Sequence, residues 1–173
     1  MWLKILGSML IVAAGGWTGF AVANRYCERT RQIGQLIGCL TALRSYVNYA
    51  SMPLPEALSH CGSQVDGPVR ELFHHTARTL TACGWLTPRQ ALAGALETAA
   101  GRLELGEPER EALLQLGANL GSTNRGEQQK YLTMVLAQLE QLEQESRRAR
   151  DQNVKMYRYL GICGGLAVVI LLV

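Results

Sequence analysis

The chain has 173 residues and a formal net charge of +3, with 48% hydrophobic and 18% charged residues. This apolar content excludes a disordered chain, the 6% aromatic content disfavours a β-rich fold, and the charge is too mild to indicate nucleic-acid binding. Apart from Lys4, the charged residues lie in the middle of the chain, since neither Ile5–Asn24 nor Tyr159–Val173 contains one.

The first apolar segment, Ile5–Asn24, has the length of a transmembrane helix, which needs about 20 apolar residues. Gly15 and Gly19 form a Gly-x-x-x-Gly pattern, which suits close packing between helices in a membrane. We therefore predict a membrane anchor over residues 1–24. Its predicted membrane-anchoring side chains include Ile11, Trp17 and Phe20.

A cleaved signal peptide is the alternative interpretation of this segment. Lys4 gives a basic start, and Ala21-Val22-Ala23 resembles a cleavage site. The apolar stretch is longer than the usual core of about 7–15 residues, which favours a retained anchor. The alternative function is then a secreted helical binding module, released by cleavage after Ala23.

A long helix follows the first anchor and ends before Pro53, because proline disfavours helix at the preceding residue. Its apolar residues repeat at spacings of three and four, which is typical of one buried helix face. They are Ile33, Leu36, Ile37, Leu40, Leu43 and Val47.

Four shorter helices are predicted next, each with a proline in its first turn, where the fixed φ suits a helix and the missing N–H costs nothing. They begin near Pro55, Pro68, Thr87-Pro88 and Glu107-Pro108. Their predicted ends are near Cys61, Gly84, Ala100 and Gly121.

The last helix is predicted to begin at the N-cap Asn124, with Glu127 in a capping-box position. It carries a coiled-coil-like stripe, whose second half is polar or small and is expected to pack loosely or to depend on a partner. The stripe comprises Leu132, Val135, Leu139, Leu142, Ser146, Ala149, Asn153, Met156 and Leu160.

The helix continues into the apolar segment 159–173, for which Leu166 and Ile170 are predicted membrane-anchoring residues. This segment covers about 20 Å as a helix, less than the hydrocarbon core of about 30 Å, so flanking basic residues such as Arg158 would have to snorkel. The alternative is a buried C-terminal core helix, which an all-round apolar surface disfavours.

The predicted fold class is all-α, an antiparallel bundle of about six helices over residues 25–158, flanked by N- and C-terminal transmembrane helices. Basic residues lie on the inner side of both anchors, which predicts that this middle domain faces the cytosol. The topology-setting residues are Arg25, Arg29, Arg31, Arg147, Arg148, Arg150 and Arg158.

No catalytic or metal-ligating constellation is recognisable. His74 and His75 are adjacent, hence about 100° apart on a helix, and cannot both face one metal. The five cysteines have neither disulfide-framework nor zinc spacing and are expected to be small buried hydrophobes in a reducing compartment. We therefore expect no enzymatic activity and no cofactor.

Several segments, in this order and spacing, give the chain a resemblance to the stage III sporulation protein AB family of endospore-forming bacteria. The resemblance covers essentially the whole chain. The segments are Ala13–Phe20, Leu43–Tyr49, Pro53–Ala57, Leu116–Gly121, Gln128–Lys130, Lys155–Gly161 and Gly165-Leu166.

The resemblance implies a non-enzymatic subunit of the mother-cell-to-forespore channel complex, in the mother-cell membrane around the forespore. Its soluble domain would be similar to the cytoplasmic domains of type II secretion inner-membrane platform proteins. The implied partners are membrane lipid, the secretion-type ATPase (stage III sporulation protein AA), other membrane proteins of the complex and a second copy of the chain, with no nucleic acid. The candidate partner-binding residues are Pro53, Leu54, Pro55, Glu56, Gly121, Asn124, Gln128 and Gln129.

Two positions depart from the family pattern. The family usually has an acidic residue where this chain has Tyr46, and tends to have Asp where Asn124 stands. If either acid contacts a partner, that contact is altered here, although Asn124 retains the ability to cap a helix.

Overall fold

The computed structural model describes residues 2–47, 52–120 and 125–172, without the side chains at 2–16, 18, 19, 125, 155 and 157–172. The described residues form six α-helices and no strand, which confirms the all-α prediction. The helices are α1 (Trp2–Ser45), α2 (Leu54–Ser63), α3 (Pro68–Ala82), α4 (Pro88–Ala99), α5 (Glu107–Asn119) and α6 (Arg125–Leu172).

Proline starts the four short helices where the sequence predicts, and α4 also has a polar side-chain cap. Each of α2 to α5 has proline at its first or second position. Thr87 caps α4 through a capping box, because its hydroxyl accepts a hydrogen bond from the backbone of Gln90 while the Gln90 side chain accepts from the backbone of Thr87. The predicted N-cap of α6, Asn124, lies outside the described residues.

The chain divides into two compact units, of which the larger comprises Arg31–Gln144. Its apolar core includes the predicted stripe of α1, with Ile33, Leu36, Leu40 and Leu43 at 1% exposure or less. The first half of the α6 stripe joins the same core through Leu132, Val135 and Leu139. Both helical stripes are thus confirmed in this unit.

Two glycines let the short helices pack closely in this unit. A Cβ on Gly62 of α2 would lie 3.1 Å from Cβ of Phe73 in α3. A Cβ on Gly117 of α5 would lie 2.9 Å from Cα of Arg89 in α4. Since backbone atoms cannot move aside cheaply, the approach of α5 to α4 requires glycine at position 117.

A buried glutamine ties α1 to the loop between α4 and α5. The Gln32 side chain is fully buried, and its Oε1 accepts a hydrogen bond from the backbone N–H of Glu104 at 2.9 Å. Its Nε2 donates to the carbonyl oxygen of Arg102 at 3.4 Å. The Gln32 side chain thus provides hydrogen-bond partners for backbone groups in a loop, where no helical hydrogen bond pairs them.

The smaller unit comprises Met1–Thr30 and Glu145–Val173. Within it, the Thr30 and Ser146 hydroxyls form a buried hydrogen bond of 2.8 Å between α1 and α6. Ser146 belongs to the half of the α6 stripe that was expected to pack loosely. That expectation is wrong at this position, because a polar partner on α1 replaces the missing apolar contact.

No helix is long and apolar enough to span a membrane within the part of the chain that the structure describes. Most side chains of the two predicted anchors, Ile5–Asn24 and Tyr159–Val173, lie outside that part. The membrane-spanning segments stay predictions.

Candidate partner-binding site

The predicted docking turn lies at the start of α2, beside α3. Pro53 and Glu56 are exposed and Pro55 is half-buried, whereas Leu54 packs against the apolar core. The first three line an open groove of about 980 Å³ between α2 and α3, here called the turn groove. Its other lining residues are Ser59, His74, Ala77, Arg78, Thr81 and Ala82.

Of the remaining candidate partner-binding residues, the two that the structure describes do not line this groove. Gln128 is half-buried, and its Nε2 donates to the carbonyl oxygen of Leu120 at 3.0 Å, near the end of α5. Gln129 is exposed on α6. Gly121 and Asn124 lie outside the described residues. The structure therefore assigns Gln128 a contact within the protein and leaves Gln129 accessible.

A second groove, which the sequence did not predict, lies between α3 and α4. It has a volume of about 680 Å³ and is here called the basic groove, because arginine and histidine dominate its walls. Its lining residues are Asp66, Gly67, Arg70, Glu71, His74, His75, Arg78, Ala95, Thr98, Ala99 and Arg102. His74 and Arg78 contribute to both grooves.

The histidines are helix residues, as predicted, with His60 and His75 exposed and His74 half-buried. The His74 Nδ1 lies 3.4 Å from the Ser59 hydroxyl. Partial burial lowers the pKa of His74 below its ordinary value, and the positive charges of Arg70 and Arg78 lower it further. Burial and the two neighbouring arginines therefore both favour the neutral imidazole.

The cysteines follow the prediction only in part. Cys39 and Cys61 are buried, and the Cys39 thiol donates to the carbonyl oxygen of Cys61 at 3.3 Å. Burial raises the pKa of Cys39 to about 12 and that of Cys61 to about 11, so both stay protonated at neutral pH. Cys27 is exposed and Cys83 half-buried, and there the expectation of burial is wrong.

No group of three or more potential ligands that could hold a metal ion occurs among the described residues. Glu107 and Glu109 lie in the first turn of α5, where negative charge complements the helix dipole. The full burial of Glu109 is a feature that the sequence did not indicate.

The residues predicted to anchor the chain or to set its topology are exposed or half-buried where the structure describes their side chains. Trp17 is 80% exposed and Phe20 58% exposed, while Ile11, Leu166 and Ile170 lie outside the side chains described. Arg25, Arg31, Arg147 and Arg148 are exposed, Arg29 and Arg150 are half-buried, and the side chain of Arg158 is outside the description.

Comparison with known proteins shows which family has this architecture. The model of the family described as stage III sporulation protein AB matches residues 4–173. The chain belongs to the stage III sporulation protein AB family. It is 36% identical to stage III sporulation protein AB of Bacillus subtilis (strain 168) over 170 residues, covering 98% of this chain and 99% of that one.

A solved structure of a stage III sporulation protein AB has the same fold. It aligns with a TM-score of 0.68 and 32% sequence identity, covering 72% of this chain and 98% of the solved chain. At that identity the likeness supports both the fold and the relationship.

Against the family pattern, Tyr46 has a structural contact in this chain. Its hydroxyl accepts a hydrogen bond of 3.1 Å from Nε2 of Gln64, which follows α2, and its ring centroid lies 6.0 Å from that of His60. The tyrosine thus connects the segment after α1 to α2. Asn124, the other departure, lies outside the described residues.

Proposed function

We propose that this member of the stage III sporulation protein AB family is a membrane-anchored, non-enzymatic subunit of the mother-cell-to-forespore channel complex. Its helical domain faces the mother-cell cytosol and docks the secretion-type ATPase, stage III sporulation protein AA. The observation that carries the docking role is the turn groove, where exposed Pro53 and Glu56 and half-buried Pro55 line an open surface.

The smaller unit supports the membrane part of the proposal. Trp17 and Phe20 are large apolar side chains that are mostly exposed and lie three positions apart on α1, so they share one helix face. Adjacent exposed apolar side chains of this kind suit contact with a membrane. The buried Thr30–Ser146 hydrogen bond is of the kind that joins helices near or in a membrane, where small and polar residues mediate packing. Both observations suit two adjacent anchors.

Docking is tested by affinity capture of the ATPase on the full-length chain in detergent micelles. We expect the parent chain to retain the ATPase and Glu56→Lys to weaken retention at least fivefold. Glu97→Lys is the matched control, since Glu97 is also an exposed helical glutamate but lies outside the turn groove. Circular dichroism verifies that both variants fold. Absence of capture by the folded parent chain would refute the docking role.

Membrane retention is tested by alkaline carbonate extraction and by the mass of the mature chain. We expect an intact chain that stays in the membrane pellet. Loss of the first 23 residues would instead favour the secreted module, although Ala23 is buried within α1. The exposed Cys27 reports topology, because a membrane-impermeant maleimide should label it only after the cells are permeabilised.

The proposal assigns no catalytic residue to the chain. A catalytic activity of the purified chain that a single polar substitution abolishes would contradict the non-enzymatic role.

A further inference from the structure

The basic groove between α3 and α4 carries more positive than negative charge. Its walls contain three arginines and two carboxylates, and the carboxylates already have partners within the groove. Nη1 of Arg102 donates to Oε1 of Glu71 at 2.8 Å, and Nη1 of Arg70 lies 3.7 Å from Oδ1 of Asp66. Among the described residues no ion pair is seen for Arg78, so the groove has an excess of positive charge.

The basic side chains form a row along one helix. Arg70, His74 and Arg78 are spaced by four residues, which places them on the same face of α3. Across the groove, α4 presents the small, buried residues Ala95 and Ala99. The α4 side of the groove therefore has no bulky side chain at these two positions. A bound peptide can approach closely enough for its side chains to reach the arginines.

His74 lies between the two arginines, and burial together with their positive charges lowers its pKa. Arg70 and Arg78 both act on its imidazole and oppose its protonation. A carboxylate placed in the row would relieve this mutual repulsion, and the charge-assisted hydrogen bonds that it accepts from arginine are stronger than neutral ones.

We propose that the basic groove docks an acidic segment of the partner ATPase, whose carboxylates pair with Arg70 and Arg78. This inference rests on the proposed function and names the second face through which that partner binds. A protein partner fits better than a nucleic acid, because two carboxylates interrupt the basic walls and no Phe, Tyr or Trp is among the described residues that line the groove.

The test measures the affinity of the ATPase for the full-length chain in detergent micelles by titration calorimetry. Arg70→Glu is the decisive variant, since Arg70 lines the basic groove and not the turn groove. We expect a Kd at least tenfold weaker than that of the parent. Arg89→Glu is the matched control, because Arg89 is also exposed, lies outside both grooves and changes the net charge equally. It should change the Kd less than twofold.

Arg78→Glu provides a second measurement and should also weaken the Kd at least tenfold. Parent affinity should fall with rising salt, and it should fall less steeply in either groove variant. Equal losses in Arg70→Glu and Arg89→Glu would overturn the inference in favour of general charge attraction. No loss in Arg70→Glu would overturn it and leave the proposed function intact.

Failure of the folded parent chain to bind the ATPase at all is a distinct result, since it would remove the proposed function itself. A single-stranded oligonucleotide of about 20 thymidines tests the other occupant in the same assay. Oligonucleotide binding that Arg70→Glu abolishes would overturn the inference and make the basic groove a nucleic-acid site.

Discussion

Apolar side chains fill the interior of the larger unit, Arg31–Gln144, whereas the buried side chains described in the smaller unit are Ala23, Thr30 and Ser146. The larger unit thus has the composition that the hydrophobic effect selects in water. Among the described side chains, the smaller unit buries small and polar residues, and its Trp17 and Phe20 are mostly exposed, as is Trp85 of the larger unit. An interior of small and polar residues is typical of helices that pack together in apolar surroundings.

The largest expected effect separates the two units directly. Leu36 is fully buried in the larger unit, so Leu36→Ala should lower the free energy of unfolding by about 2–5 kcal/mol. Trp17→Ala in the smaller unit should change it by less than about 0.5 kcal/mol, since that side chain is mostly exposed. Urea unfolding of the full-length chain in detergent, followed by circular dichroism, measures both. Similar losses in the two variants would abolish the distinction between the units.

A smaller effect is expected where helix backbones meet in the larger unit. Gly117→Ala forces a methyl group against the backbone of Arg89 and should cost about 1–3 kcal/mol. Gly94→Ala on α4 is the control, because a Cβ there meets nothing within 4 Å. It should stabilise the protein by up to about 1 kcal/mol through its better helix propensity. If both variants are stabilised, the close approach of α5 to α4 is not a constraint.

The larger unit was also the more predictable from sequence. Spacings of three and four identified the buried faces of α1 and α6, because a helix that packs in water must carry its apolar residues on one side. Prolines marked the starts of four helices because their fixed φ and missing N–H suit only the first turn. Local chemistry therefore sufficed for the six helices.

Contacts between residues distant in the chain could not be predicted in the same way. Gln32 pairs with Arg102 and Glu104, about seventy positions away, and nothing in the local pattern distinguishes it from an exposed glutamine. The basic groove was missed for a similar reason, since Arg102 joins the row on α3 only after α4 has packed against it. The turn at Pro53 was found because its prolines are recognisable locally, but that it lines a groove with α3 is a tertiary feature.

The polar contact of the smaller unit should show as a coupling energy. Thr30→Val leaves the buried Ser146 hydroxyl without its partner, whereas Ser146→Ala leaves the Thr30 hydroxyl only its bond to the Tyr26 carbonyl oxygen. The double variant removes both hydroxyls. We expect a coupling of about 1 kcal/mol in a double-mutant cycle of unfolding free energies. The control cycle combines Thr133→Val with Ser146→Ala. Thr133 is an exposed α6 residue whose hydroxyl donates to the carbonyl oxygen of Gln129 in its own helix. That cycle should be additive, and coupling in it would make the Thr30 result uninformative about packing.

The smallest effect depends on pH and concerns only the larger unit, which contains Cys39 and Cys61. Burial raises the pKa of Cys39 to about 12, so between pH 9 and that value the unfolded chain loses a proton that the folded chain keeps. The protonated Cys39 thiol therefore contributes fully to the free energy of unfolding below pH 9, the pKa of the unfolded chain. This contribution is lost as the pH rises towards the folded pKa of about 12.

Between pH 8 and pH 10 the free energy of unfolding of the parent chain should fall by about 1 kcal/mol more than that of Cys39→Ala. Val69→Ala is the control, because it also removes buried volume from the core but no titrating group, so its loss over that range should equal that of the parent. A parent profile that matches Cys39→Ala would show that the thiol reaches solvent in the folded state. The core of the larger unit would then exclude water less completely than its apolar composition requires.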